Sequence, residues 1–125
     1  MNINDGLKAN GHIQAIIEYK SGDIEKIEFP NTVLATGRQV LAAGLAHDIG
    51  DQFNFYITRM LFGSNGTSGG STKYVNSSRN GLFGATVASK PVIATVDPNI
   101  PTQVIFTSVL AYDDAVDTVL NEMAL

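Results

Sequence analysis

The chain has 125 residues, enough for one domain with a core and too few for two. Hydrophobic residues make up 44%, which excludes overall disorder, and the net charge of −4 with scattered cations argues against a nucleic-acid groove. With no Cys, a disulfide staple and a thiolate metal site are both excluded.

The first residues, "MNINDGLKANGH", lack a basic start followed by an apolar stretch and are read as a short flexible N-terminus (1–11) without a secretory signal. No apolar run approaches the roughly 20 residues of a membrane helix, so a soluble protein without membrane insertion is expected. "HIQAIIEY" sets Ile13, Ala15, Ile17 and Tyr19 against His12, Gln14, Ile16 and Glu18, the period of a half-buried strand. "KSGD" supplies a turn with Gly22, and "IEKIEF" resumes the alternation, so an antiparallel hairpin is predicted, ended by Pro30.

The period then changes. In "NTVLATGRQVLAAGLA", Val33, Leu34, Val40, Leu41 and Leu45 share one helical face, which predicts a helix over about residues 32–46, capped by Asn31 or Thr32. Gly37 and Gly44 lie on the same stripe, each costing about 1 kcal/mol relative to Ala. Close approach to a sheet or another subunit would explain them; mere tolerance is the alternative. "FNFYITRMLF" (53–62) is apolar on both faces and reads as a central strand. Arg59 interrupts it, and a carboxylate or a subunit boundary is expected to meet that charge.

Residues 63–80 read as a long Gly/Ser loop, and loops of that length are usually functional or mobile. Its "GSNGTSGGSTK" is no phosphate cradle, because Lys73 follows Thr72 and no Gly-Lys pair opens a helix. "LFGATVASKPVIATV" returns to strand patterning, with Pro91 marking an edge, bulge or break. "DPNIP" signals a turn, and "TQVIFTSVLAY" alternates cleanly, so a second hairpin is predicted. The tail "DDAVDTVLNEMAL" fits either a helical stripe or a last strand, and its terminal Leu125 calls for cover.

Chemistry-bearing constellations are sparse. His12 and His47 lie in different elements, so no zinc site is expected. No G-x-S-x-G elbow exists, and no catalytic residue or cofactor site is read. Asp113, Asp114, Asp117 and Glu122 lack EF-hand spacing and read as a solvated acidic turn. "LFG" occurs twice, at Leu61–Gly63 and Leu82–Gly84, too short a repeat to define a unit.

Taken together, "FPNTVLATGRQVLAAGLA", "FYITRMLFGSNGT", "NGLFG" and "LNEMAL" resemble the motifs of small tailed-bacteriophage virion proteins, over roughly residues 11–125. The matching positions are Asn31, Gly37, Arg38, Gly63, Gly66, Asn121 and Glu122. The resemblance implies a non-enzymatic structural protein of the tail, baseplate or fibre-attachment apparatus, located in the virion and assembled in the host cytoplasm. Its partners would be other copies of itself and other virion proteins. A capsid decoration protein is the alternative within that class. A carbohydrate-binding module of a fibre, using Tyr56, Tyr74 and Tyr112 on a host-surface glycan, is the alternative outside it. The fold expected is one mainly β domain over 1–125, an antiparallel β-sandwich or rolled sheet with one covering helix. Candidate interface residues are Gly37, Arg38, Gly44, Gly63, Gly66, Gly70, Asn121, Glu122 and Leu125.

Overall fold

The computed structural model describes residues 9–46 and 57–125. Within them the fold is mainly β, with several small antiparallel sheets and one helix. The first hairpin pairs β1 (Gly11–Glu18) with β2 (Ile24–Asn31). Its five-residue turn is held by Tyr19 N–H donating to Asp23 O at 2.9 Å and Gly22 N–H donating to Tyr19 O at 2.8 Å. Gly22 sits at φ 90°, where a Cβ is disfavoured, so glycine is what lets the chain reverse here. The register sets Ile13 opposite Phe29 and Ala15 opposite Ile27, making one face of the hairpin apolar. Pro30 lies inside β2 as its penultimate residue rather than ending it.

Helix α1 runs Ala35–Ala46, three residues shorter at its start than the sequence pattern predicts. Its first amide is not capped by Asn31 or Thr32. Ala35 N–H donates instead to Arg79 O at 3.1 Å, so a distant loop supplies the acceptor. The helix buries no residue and covers no sheet among the described residues, with Leu45 76% exposed.

The three-stranded sheet has the order β6–β3–β9, from β6 (Ala88–Pro91), β3 (Arg59–Gly63) and β9 (Glu122–Ala124). Its central strand is the one expected to be central; residues 53–56 of that prediction lie outside the described residues. Pro91 ends an edge strand, where its missing N–H leaves no ladder position empty. Arg59 meets no carboxylate among the described residues. Its Nε donates to Ser89 Oγ at 2.6 Å and its Nη2 to Ser89 O at 2.7 Å, which satisfies the guanidinium on the neighbouring strand. The tail resolves in favour of a strand, because Leu61 pairs with Ala124 and Phe62 with Met123.

The Gly/Ser loop is not structureless. β4 (Thr67–Ser68) pairs with β5 (Ser71–Thr72) around Gly69 and Gly70, at φ 57° and 81°. A two-residue hairpin turn with both central residues at positive φ matches the strand twist, and Gly-Gly supplies it without strain. Gly70 is therefore a turn former. The second predicted hairpin is present as β7 (Ile93–Val96) with β8 (Val104–Thr107). Asp97 organises its loop, its Oδ1 accepting from Asn99 N–H at 2.8 Å and Ile100 N–H at 3.3 Å.

The mainly β class with one helix is as expected, and what the described residues show of its arrangement is several small antiparallel sheets. Among the described residues, the elements whose backbones come within 8 Å of one another are strand partners in a sheet. Among the described residues, the buried apolar side chains are Met60 and Ala88. Ile24, Ile93, Val104 and Val109 all stand in the open, and so does half of Leu125.

Candidate assembly surfaces

Among the described residues, side-chain hydrogen bonds from Asn121 and Glu122 gather at the Gly63 end of the three-stranded sheet. Asn121 N–H donates to Gly63 O at 3.0 Å, which starts β9 beside the end of β3. From there the two side chains of the Asn-Glu pair reach into two separate glycine loops. Glu122 Oε1 accepts from Asn65 N–H at 3.0 Å and Gly84 N–H at 3.3 Å, and Oε2 accepts from Phe83 N–H at 2.6 Å. Asn121 Oδ1 accepts from Gly66 N–H at 2.7 Å, while its Nδ2 donates to Thr67 Oγ1 at 3.2 Å. One carboxylate thus serves three backbone donors that no sheet ladder reaches, each bond strengthened by its charge.

Glycines make the close approach feasible. A Cβ on Gly63 would lie 2.5 Å from Glu122 Oε1 and 2.8 Å from its Cγ. On Gly66 it would run into the backbone carbonyl of Asn121, which cannot step aside as a side chain can. A Cβ on Gly84 would meet Asn65 Cβ at 2.7 Å. The structure therefore joins Gly63, Gly66, Asn121 and Glu122 in one cluster. It adds Asn65, Phe83 and Gly84, which the sequence reading did not name as site residues. The signal was the repeated "LFG": Phe62–Gly63 lies beside Glu122 on β3, and the Phe83–Gly84 amides bond to it.

The remaining candidates fall elsewhere. Arg38 Nη2 donates to Ser77 O at 2.9 Å, and Thr36 Oγ1 meets Asn80 Oδ1 at 3.2 Å, so the start of α1 is tied to the 76–80 segment. Arg79 of that segment stacks its guanidinium 3.8 Å from the Phe83 ring centroid and donates through Nη2 to Leu82 O at 3.0 Å. Gly37 allows no close approach; a Cβ there would make ordinary contact with Val33 at 3.5 Å. Gly44 is exposed. His47 and Tyr56 lie outside the described residues, whereas Tyr74 is 87% exposed.

At the opposite end of the sheet, Lys90 pairs with Asp114. The acids of the tail are thus not one solvated turn: Asp114 is ion-paired and Glu122 sits in the cluster described above. The Lys90 ammonium, with the Ala111 N–H next in importance, holds the Asp114 carboxyl below its ordinary value of 3.8. Gln14 and then Lys26 lower Glu28 in the same sense on the first hairpin. A depressed carboxyl stabilises the fold fully above its unfolded pKa, and that contribution is lost as pH falls through the lower native one. The melting temperature should therefore drop more steeply below about pH 4 in the parent than in Asp114→Asn, which has no such proton to take up. Parallel melting curves of the two across acid pH would show that the pair contributes nothing.

The uncovered apolar surfaces complete the inventory. They are Ile16 and Ile24 on one face of β1–β2 with Ile17, Ile27 and Phe29 partly open on the other, the stripe of α1 at Leu41 and Leu45, and both faces of β7–β8. The best-formed depressions are shallow and apolar, one along α1 beside Ala9 and the other beside Pro91 and Ile93. No family model matches this chain, and no curated protein or solved structure matches it.

Proposed function

We propose that the chain is a non-enzymatic structural component of a tailed-phage virion, in its tail, baseplate or fibre-attachment apparatus, built in through contacts with copies of itself and other virion proteins. The observation that carries this reading is the shortage of internal burial. The strands are correctly amphipathic, yet Met60 and Ala88 are the buried apolar residues among those described. Burial of apolar area is the main favourable term in folding, so side chains patterned for a core and left outside one need a partner. The β-sandwich suggested by the sequence is, in this reading, completed between subunits.

The sizes fit several contacts per subunit. One face of an eight-residue hairpin spans roughly 27 Å by 10 Å, about 300 Å². A stable interface takes about 800 Å² from each partner, so β1–β2 alone falls short and α1 and β7–β8 contribute as well. The phage part of the proposal is supported by the motif resemblance, since Gly63, Gly66, Asn121 and Glu122, which carry it, are the residues that lock the sheet end together. A capsid-decoration role would use the same surfaces.

Light scattering of the purified chain tests the proposal. A discrete oligomer is expected, and Phe29→Glu should dissociate it at least tenfold more readily, because a charge would be buried in the interface. The exposed Tyr74 favours one second reading, a carbohydrate-binding module. A stable monomer that binds a glycan through Tyr74 would replace the assembly reading with that one.

A further inference from the structure

Among the described residues, charges without an opposite partner gather at two places on the three-stranded sheet. Arg38, Lys73 and Arg79 gather around the 73–83 segment, beyond the Gly63 end of β3. Lys73 Nζ lies 5.1 Å from the Phe83 ring centroid and Arg79 stacks at 3.8 Å on the same ring. Arg38 reaches the segment through Ser77 O at 2.9 Å. None of the three meets a carboxylate among the described residues. Glu122, which bonds the Phe83 amide, has its oxygens occupied by backbone N–H groups.

The other end is acidic. Lys90, opposite Met60 near the Arg59 end of β3, anchors the 112–117 turn through Asp114. That turn presents Asp113 and Asp117, both exposed and neither bonded to a cation. Tyr112 Oη donates to Glu18 O at 3.0 Å, which brings the turn of the first hairpin, with Asp23, to the same place. Lys90 pairs with Asp114, and the two other cations there, Lys20 beside the Tyr112 ring at 5.7 Å and Arg59 on Ser89, are outnumbered by Glu18, Asp23, Asp113 and Asp117.

We infer that the acidic Asp113–Asp117 end of one copy docks on the Arg38–Lys73–Arg79 end of a second copy, so that subunits associate head to tail. The inference rests on the assembly reading above and specifies its geometry. Two-fold packing through either end would set like charges against each other, which disfavours it, whereas head-to-tail contact pairs them. Exposed ion pairs add little affinity on their own. The apolar faces hold the subunits, and the charges choose which end meets which. Such a contact is heterologous, so it closes into a ring or extends as a filament.

A charge-swap experiment on the full chain tests this. Asp113→Lys with Asp117→Lys, and separately Arg38→Glu with Lys73→Glu, should each lower self-association at least tenfold by sedimentation, with circular dichroism confirming that both fold. Mixed together, the two variants should co-assemble, and parent association should weaken as NaCl rises from about 0.05 to about 0.5 M. Parent oligomers indifferent to salt, variants that associate like the parent, or a mixture that fails to assemble would overturn the head-to-tail geometry while leaving the assembly reading standing. A parent monomeric at all salt concentrations would overturn both. Binding of a single-stranded oligonucleotide at Lys73 and Arg79 by a salt-indifferent oligomer would reassign the basic end to nucleic acid.

Discussion

Replacing Glu122 with Ala should destabilise the fold by on the order of 3 kcal/mol, because three backbone N–H donors lose their acceptor together. Asn65, Phe83 and Gly84 belong to loops that no ladder bond reaches at those amides, and one carboxylate joins them to β9. At a fixed protein concentration that loss corresponds to a melting temperature lower by roughly 10 °C. Glu122→Gln should recover less than half of it, since one oxygen remains while the new amide N–H₂ faces donors. The effect should also be local: hydrogen exchange would quicken first at residues 64–66 and 83–84, not in the β1–β2 hairpin. An alanine variant that melts within about 1 kcal/mol of the parent would mean that water serves those amides equally well.

Gly66→Ala should cost about 3 kcal/mol, at the upper end of the usual penalty for forcing an extra methyl into a filled space. The new Cβ would collide with the Asn121 carbonyl, which is backbone and is fixed by its place at the start of β9. The strand and the loop would have to separate, breaking the Asn121 Oδ1 bond to Gly66 N–H as well. Gly37→Ala is the matched control. There the Cβ meets only Val33 at an ordinary 3.5 Å, and alanine favours the helix, so that variant should be neutral or slightly more stable. Equal stability of the two variants, measured by denaturant titration, would show that the glycine loops do not need their close approach.

Much of the secondary structure could be read from the sequence because the period of apolar residues depends on local geometry alone. Ile13, Ala15 and Ile17 gave away β1, and Val104 and Phe106 gave away β8 in the same manner. The central place of β3 followed from its two apolar faces. The start of α1 was placed too early because Val33 and Leu34 fit the helical stripe, while the acceptor for its first amide comes from Arg79, far along the chain. The β4–β5 hairpin was hidden because two-residue strands have no period; only the Gly69-Gly70 pair could signal it. The Glu122 cluster was legible in part, as a set of glycines and an Asn-Glu pair. Its bonds run to backbone amides, which any residue type supplies, so sequence could not say which loops the carboxylate would join. Arg59 was expected to meet a carboxylate or a subunit boundary, and within the described residues the Ser89 side chain and carbonyl satisfy it. How the sheets are layered was the least legible part. Alternation states which faces need cover, but nothing in a single chain's pattern states whether the cover comes from itself or from a neighbour.

Thermal unfolding of the parent over about three decades of protein concentration tests that last point most directly. If the β1–β2, α1 and β7–β8 faces are covered by neighbouring subunits, mass action raises the melting temperature steadily with concentration, and the transition begins from an oligomer. A melting temperature that stays constant across the whole series, with a monomeric mass at every concentration, would contradict the account.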